Sequence, residues 1–222
     1  MKHTLKIALT VIATGLFANA HASTTTIQTG YSSTGAQTSA SAYQSAVNAA
    51  VANVTPGYGS TVVASYDGVT NHGLFGGPSA NIAFKSTVNF GVSAANAGAW
   101  AFQSGVDFGL GGAIFLDGVA LDFKSNDMWW NGSYNNASQY FGVTLSNLSA
   151  GNHTLNLYGL ENCCDGGQQA QFKIGGGNFT TFSSTDGLIA AVPEPETYAM
   201  LLAGLGLVGF LSRRKPTKKT AA

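Results

Sequence analysis

Two adjacent cysteines, Cys163 and Cys164, are the only cysteines in the chain, and they sit in the stretch GLENCCDGGQQAQF, Gly159 to Phe172. Thiols in such a pair suggest a metal clip, a redox centre, a nucleophile or a structural staple. Zinc needs four ligands, and neither a second cysteine pair nor spaced histidines supply the remainder. A cysteine nucleophile needs a general base beside it. The candidates away from the N-terminus, His72 and His153, carry no supporting motif, and His153 alternates with Leu155 and Leu157 as a residue on one face of a strand does. No G-x-S-x-G, H-E-x-x-H or C-x-x-C pattern occurs. No catalytic residue, metal or cofactor is assigned, and the chain is read as non-enzymatic. A second cluster lies in DMWWNGSY, where Trp129, Trp130 and Tyr134 offer an aromatic platform for a sugar ring, flanked by Asn131, Asn135 and Asn136 for its hydroxyls. The competing reading puts one tryptophan in a core and the other over a sheet edge.

The elements that must hold these residues read as strands. From Ser60 onward, short runs rich in aromatic and β-branched residues alternate with period two: TVVASY, NIAFKSTVNF, AWAFQSGVDF, AIFLDGVALDF, QYFGVTL, HTLNLYGL, AQFKI and NFTTF. Asp117-Gly118 between two such runs is a type I′ hairpin signal. About eight strands with no helix between them predict an all-β fold, an antiparallel β-sandwich or jelly roll, over residues 59–190. Its expected core includes Ile82, Phe84, Val88, Phe90, Trp100, Phe102, Leu155, Leu157 and Phe172. Residues 23–58 form a Ser/Thr/Ala-rich leader. Tyr43, Val47, Ala50, Val51 and Val54 fall at helical spacing there, so the leader is read either as carrying a short helix or as a disordered segment.

Composition narrows the partners. The chain has ten basic and ten acidic residues, but seven of the basic ones lie near its two ends. Ser23 to Ala191 keeps only Lys85, Lys124 and Lys173 against eight carboxylates, a net charge of −5 without any arginine. Such a surface is a poor match for phosphate backbones and excludes nucleic acid as a partner. Solubility must come from hydroxyls and amides, as in an exported β-protein.

The ends explain the charge distribution. Lys2 and Lys6, the apolar run Ile7 to Phe17 and the small-x-small sites ending at Ala20 and Ala22 are laid out as a secretory signal peptide, residues 1–22. At the other end, Pro193-Glu194-Pro195 is followed by the apolar run Tyr198 to Leu211 and then by Arg213, Arg214 and Lys215. That run would extend about 21 Å as a helix, and snorkelling arginines with local bilayer thinning let it serve as a short transmembrane helix. The basic cluster would stay cytoplasmic and the upstream chain outside. Gly204 to Gly209 fits G-x-G-x-x-G, but inside an apolar segment it reads as helix-packing glycines, not as a dinucleotide site.

In this order the tail, residues 191–219, resembles the PEP-CTERM sorting signal. The resemblance implies transient anchoring in the inner membrane, recognition by an exosortase-type membrane protease, cutting near Pro193-Glu194-Pro195, and delivery to the cell surface or the extracellular space. ENCCDGG also resembles a Cys-Cys-x-Gly element of one PEP-CTERM subgroup, which implies no activity. Export puts Cys163 and Cys164 in an oxidising space. A bond between neighbours would close a small ring in a turn, for which Asp165-Gly166-Gly167 supplies the backbone freedom. Intermolecular crosslinking and free thiols stay open. Finally, GVDFGLGGAIFLDGVAL, then MWW, then VTLSNLSAGNHTLNLYGLE resembles the PA14-type sandwich. Many members of that group bind carbohydrate, some through paired aspartates that hold calcium; here only Asp107 stands near that position. The expected function is an exported surface or matrix protein sorted by its tail. The alternative is a secreted carbohydrate-binding module whose partner is the extracellular polysaccharide of a biofilm.

Overall fold

The computed structural model describes residues 22–189 and, apart from them, Leu205. The signal peptide and the sorting tail otherwise lie outside the described residues, and among the described residues no helix is long and apolar enough to cross a membrane. Residues 22–189 form ten strands and two α-helices: β1 (Thr24–Tyr31), α1 (Ala40–Val51), β2 (Ser60–Val63), α2 (Asn71–Phe75), β3 (Ile82–Val92), β4 (Gly98–Gly105), β5 (Gly112–Leu116), β6 (Val119–Lys124), β7 (Tyr140–Leu148), β8 (Gly151–Glu161), β9 (Gln169–Ile174) and β10 (Thr180–Thr181). A six-stranded sheet runs β2-β1-β3-β8-β5-β6 and a four-stranded sheet runs β10-β9-β4-β7. Every pairing is antiparallel. Asp117 and Gly118 both take positive φ, 50° and 78°, as the type I′ turn between β5 and β6 requires.

Alternation decides the interior. Phe84, Val88 and Phe90 from β3, with Leu155 and Leu157 from β8, meet Trp100, Phe102 and Phe172 from the opposite sheet, and all nine core residues expected from the sequence are buried there. The rings of Phe90, Trp100, Phe102, Phe172 and Phe182 form one cluster, with centroids 4.9 Å apart for Phe172 and Phe182 and 5.5 Å for Trp100 and Phe172. The Trp100 indole N–H donates to the Asn96 carbonyl at 2.8 Å, so its polar edge is satisfied.

The expected leader boundary is corrected here. TTTIQTGY is β1, an internal strand paired with β3 at eight positions and with β2 at four. The sandwich therefore begins at Thr24, not at residue 59. Alternating Thr25, Ile27 and Thr29 carry the strand pattern, which the Ser/Thr bias hides. The helical spacing downstream forms α1, whose Ser39 N-cap hydroxyl accepts from the Ala42 N–H at 3.2 Å. Its face of Tyr43 and Val47 covers the outer side of the six-stranded sheet, against Ala83, Ala113, Phe115, Tyr158 and Leu160. At Gly30 any Cβ would overlap the Ala50 carbonyl of α1, so only glycine lets the helix lie this close. Gly30→Val is expected to destabilise the fold by about 1–3 kcal/mol through overpacking. Thermal unfolding of the two proteins checks this, and an unchanged melting temperature would show that α1 does not sit on β1.

Candidate functional site

The register brings one set of loops together. β4 ends and β7 and β9 begin at the same level, since Gly105 lies opposite both Tyr140 and Gln169. In the other sheet β3 begins where β8 ends, at Ile82 opposite Glu161, and β5 begins opposite Gly159. The segments 64–81, 106–111, 125–139 and 162–168 therefore crowd at one pole of the sandwich, the loop pole. Cys163, Cys164, Trp129, Trp130, Tyr134 and His72 all lie in these segments.

Irregular loops leave backbone N–H groups without ladder partners, and three buried carboxylates take them up. Asp165 accepts from the N–H groups of Asn71 and His72 at 2.8 and 2.6 Å. Asp107 accepts from Gly166 at 2.6 Å and from the Trp130 N–H. Glu161 accepts from Gly109 at 2.6 Å and from Cys163. Each carboxylate adds side-chain bonds between segments that touch through only a few backbone hydrogen bonds, such as Val69 with Gln168 and Leu110 with Leu160. Asn71, fully buried in the 64–81 segment, completes the set by donating to the carbonyls of Gly57 and Pro78 and accepting from the Thr29 hydroxyl.

Cys163 and Cys164 are bonded to each other, with Cα atoms 3.1 Å apart across a cis peptide, and both are exposed at the tip of this loop. Neither approaches a histidine as a nucleophile would. His72 shares a 3.0 Å hydrogen bond with the Gly77 carbonyl. His153 lies at the far pole, between the Asp117 carboxylate at 2.7 Å and the Ser149 carbonyl at 2.9 Å.

The aromatic cluster divides. Trp130 lies flat over Gly105, where a Cβ would enter the ring, and packs on Tyr134 with centroids 4.5 Å apart. Tyr134 meets the edge of Tyr140 at 5.2 Å and donates its hydroxyl to the Gln169 side chain at 3.0 Å. Trp129 turns away and is 57% exposed. Asn131 and Asn135 are exposed, while Asn136 caps the turn at Ala137–Gln139. Tyr140 and Gln169 were not evident from sequence as parts of this group. Strand register puts both beside Gly105 and its Trp130 cover, although Gln169 lies 39 positions from Trp130 along the chain.

The calcium site of some PA14-type members does not fit these residues. Asp107 already accepts two backbone N–H groups, and among the described residues no group of three or more His, Cys, Asp or Glu is placed to hold a metal.

Burial sets the protonation of the three carboxyls. It pushes Glu161 up to about 7, with the charges of Asp107 and Asp127 adding to the rise, against the two N–H donors that favour the ionised form. Burial also raises Asp107 and Asp165. A carboxyl raised on folding binds its proton more tightly in the native state, so its contribution is complete below the unfolded value and is lost as pH climbs through the folded one. For Glu161 that window runs from the ordinary 4.5 to about 7. The melting temperature is expected to fall as pH rises through this window, and Glu161→Gln should flatten the slope. Thermal melts of both proteins across the window check this; equal slopes would remove Glu161 as the cause.

Residues 191–215 match the PEP-CTERM protein-sorting motif. The motif marks the chain as an exported protein. No curated protein matches the chain. Among solved structures, a PA14 sugar-binding domain from an RTX adhesin superposes with a TM-score of 0.51 at 11% identity, covering 77% of this chain and 99% of its own. The PA14 domain of the MpAFP antifreeze protein gives 0.47 at 11% identity, covering 77% and 91%. The Epithelial Adhesin 9 A domain from Candida glabrata, solved in complex with Galb1-3GlcNAc, gives 0.46 at 11% identity, covering 80% and 93%. At such identities the likeness is one of fold: this chain is a mostly antiparallel β-sandwich, similar in fold to the RTX adhesin's PA14 domain, followed by a PEP-CTERM sorting motif.

Proposed function

We propose that this protein is an exported, non-enzymatic surface or extracellular-matrix protein, transiently anchored in the inner membrane by its tail and processed there by an exosortase-type protease. One observation carries the reading: the polarity of the sandwich relative to the sorting motif. Ile189 bridges Gly91 near the end of β3, and β3 starts at the loop pole. Ile189, the last described residue before the motif, thus lies at the pole opposite Trp130 and the cysteine loop. A domain tethered through this exit presents its loop pole outward. His72 and His153 are engaged in hydrogen bonds at opposite poles, which supports a role without acid–base chemistry. Pro193 and Pro195 favour an extended backbone that a protease cleft can take. Replacing Pro193, Glu194 and Pro195 together by alanine is expected to leave an uncut precursor in the membrane fraction. Immunoblots of membrane and secreted fractions check this, and unchanged processing would overturn the reading.

A second reading is that the domain binds carbohydrate in the extracellular polysaccharide. It is supported by the Trp130–Tyr134–Tyr140 stack, since aromatic faces and edges pack on sugar rings while nearby amides meet hydroxyls. The RTX adhesin's PA14 domain, a sugar-binding domain of similar fold, agrees with it. Trp130→Ala is expected to weaken glycan binding by about tenfold, the order of one lost aromatic contact. A glycan array with parent and variant decides it: equal binding by both, or binding by neither, removes the idea.

A further inference from the structure

The outer face of the four-stranded sheet carries an ordered array that α1 does not reach, since α1 covers the other sheet. On β4, Trp100, Phe102 and Ser104 are buried toward the core, so Ala101, Gln103 and Gly105 face outward. Their cross-strand partners define three rows. In the first, Gly105 lies between Gln169 and Tyr140 and is roofed by Trp130. In the second, Gln103 lies between Gln171 and Gly142, and the Gln171 amide donates to Gln103 at 2.8 Å. In the third, Ala101 lies between Lys173 and Thr144. Small residues in the middle leave a hollow of about 300 Å³, closed at the third row by Phe179, whose ring lies 4.9 Å below the Lys173 ammonium.

Lys173 is the one charged side chain in the array, and among the described residues no carboxylate lies within ion-pair distance of it. The nearest carboxylate tied to the array is Asp67, which accepts from Gln169 in the first row. Four residues separate Gln169 from Lys173, about 13 Å along the strand, which exceeds a physiological Debye length of about 8 Å. The charge of Asp67 is therefore largely screened at Lys173. A groove with an aromatic wall at one end, an amide pair in the middle and a lone ammonium at the other matches a chain of sugar rings that bears a carboxylate.

We infer that this groove binds a carboxylated polysaccharide, an extended segment of two or three uronic-acid residues, with an acid group on Lys173 and a ring against the Trp130–Tyr134–Tyr140 stack. The inference rests on the carbohydrate reading above and adds the charge of the ligand and the residue that selects it. Gln103 and Gln171 receive hydroxyls between the two ends.

The test uses the full-length protein in detergent and isothermal titration with uronate trimers of gluco, manno and galacto configuration, each beside its neutral counterpart. At least one uronate is expected to bind about tenfold tighter than its neutral counterpart, the worth of one charge-assisted hydrogen bond. Lys173→Gln should abolish that preference, Lys173→Arg should keep it, and neither should alter the melting temperature. Uronate bound no more tightly than the neutral trimer, or a preference that survives Lys173→Gln, overturns the proposal. In that case neutral binding lost in Trp130→Ala would leave the carbohydrate reading standing. Absence of binding to every trimer overturns both.

Discussion

The pairing of β3 with β8 is the constraint from which the rest of this sandwich follows. The two strands run side by side for eleven residues, from Ile82 opposite Glu161 to Val92 opposite Gly151. Because side chains alternate, this register sends Phe84, Val88, Phe90, Leu155 and Leu157 to the aromatic interior, and Ala83, Tyr158 and Leu160 to the helix on the other face. A slip by one residue would exchange the two sets and bury Lys85 and Asn156 among the rings. The same register fixes where β8 ends, and so which loops meet at the loop pole.

That pole is held by a device suited to a domain without arginine. Three carboxylates are buried there without a cation on any of them. Each is balanced by a pair of backbone N–H groups, which lack partners in irregular chain. The far pole is held differently: the exposed Asp117 accepts from the Thr154 N–H and pairs with the His153 ring. Acidic residues in this protein organise turns more than they decorate the surface. The Cys163–Cys164 bond adds a covalent element to the exposed tip of the 162–168 loop, where Glu161 accepts from the Cys163 N–H.

Function is layered on this frame by direction. The exit at Ile189 and the loop pole lie at opposite ends of β3. Ile189, the last described residue before the sorting motif, and the exposed loops are thus separated by the length of β3. The groove on the four-stranded sheet runs between the two poles, and its aromatic end adjoins the loop pole.

Much of this was legible without coordinates. Alternation of apolar and polar residues from Ser60 onward named the strands and nine core positions, because burial on one face of a strand writes a period of two into the chain. The order of proline motif, apolar run and arginines named the sorting tail, since each part answers a separate physical need at a membrane. The Tyr43 and Val47 spacing allowed a helix but could not say what it covers. β1 escaped notice because its inward residues are mostly threonine, whose composition reads as leader. Trp130 and Tyr134 were evident as a pair, yet Tyr140, Gln169 and Lys173 joined them only through cross-strand neighbours far apart in sequence. The amino-acid sequence by itself determined the strands from Ser60 onward, the charge deficit and the export address, all of which are local properties of a chain. The carboxylate-held loops, the seat of α1 and the sheet groove were decided by tertiary structure alone, because they depend on which strands lie side by side, and pairing partners leave no mark at a fixed spacing.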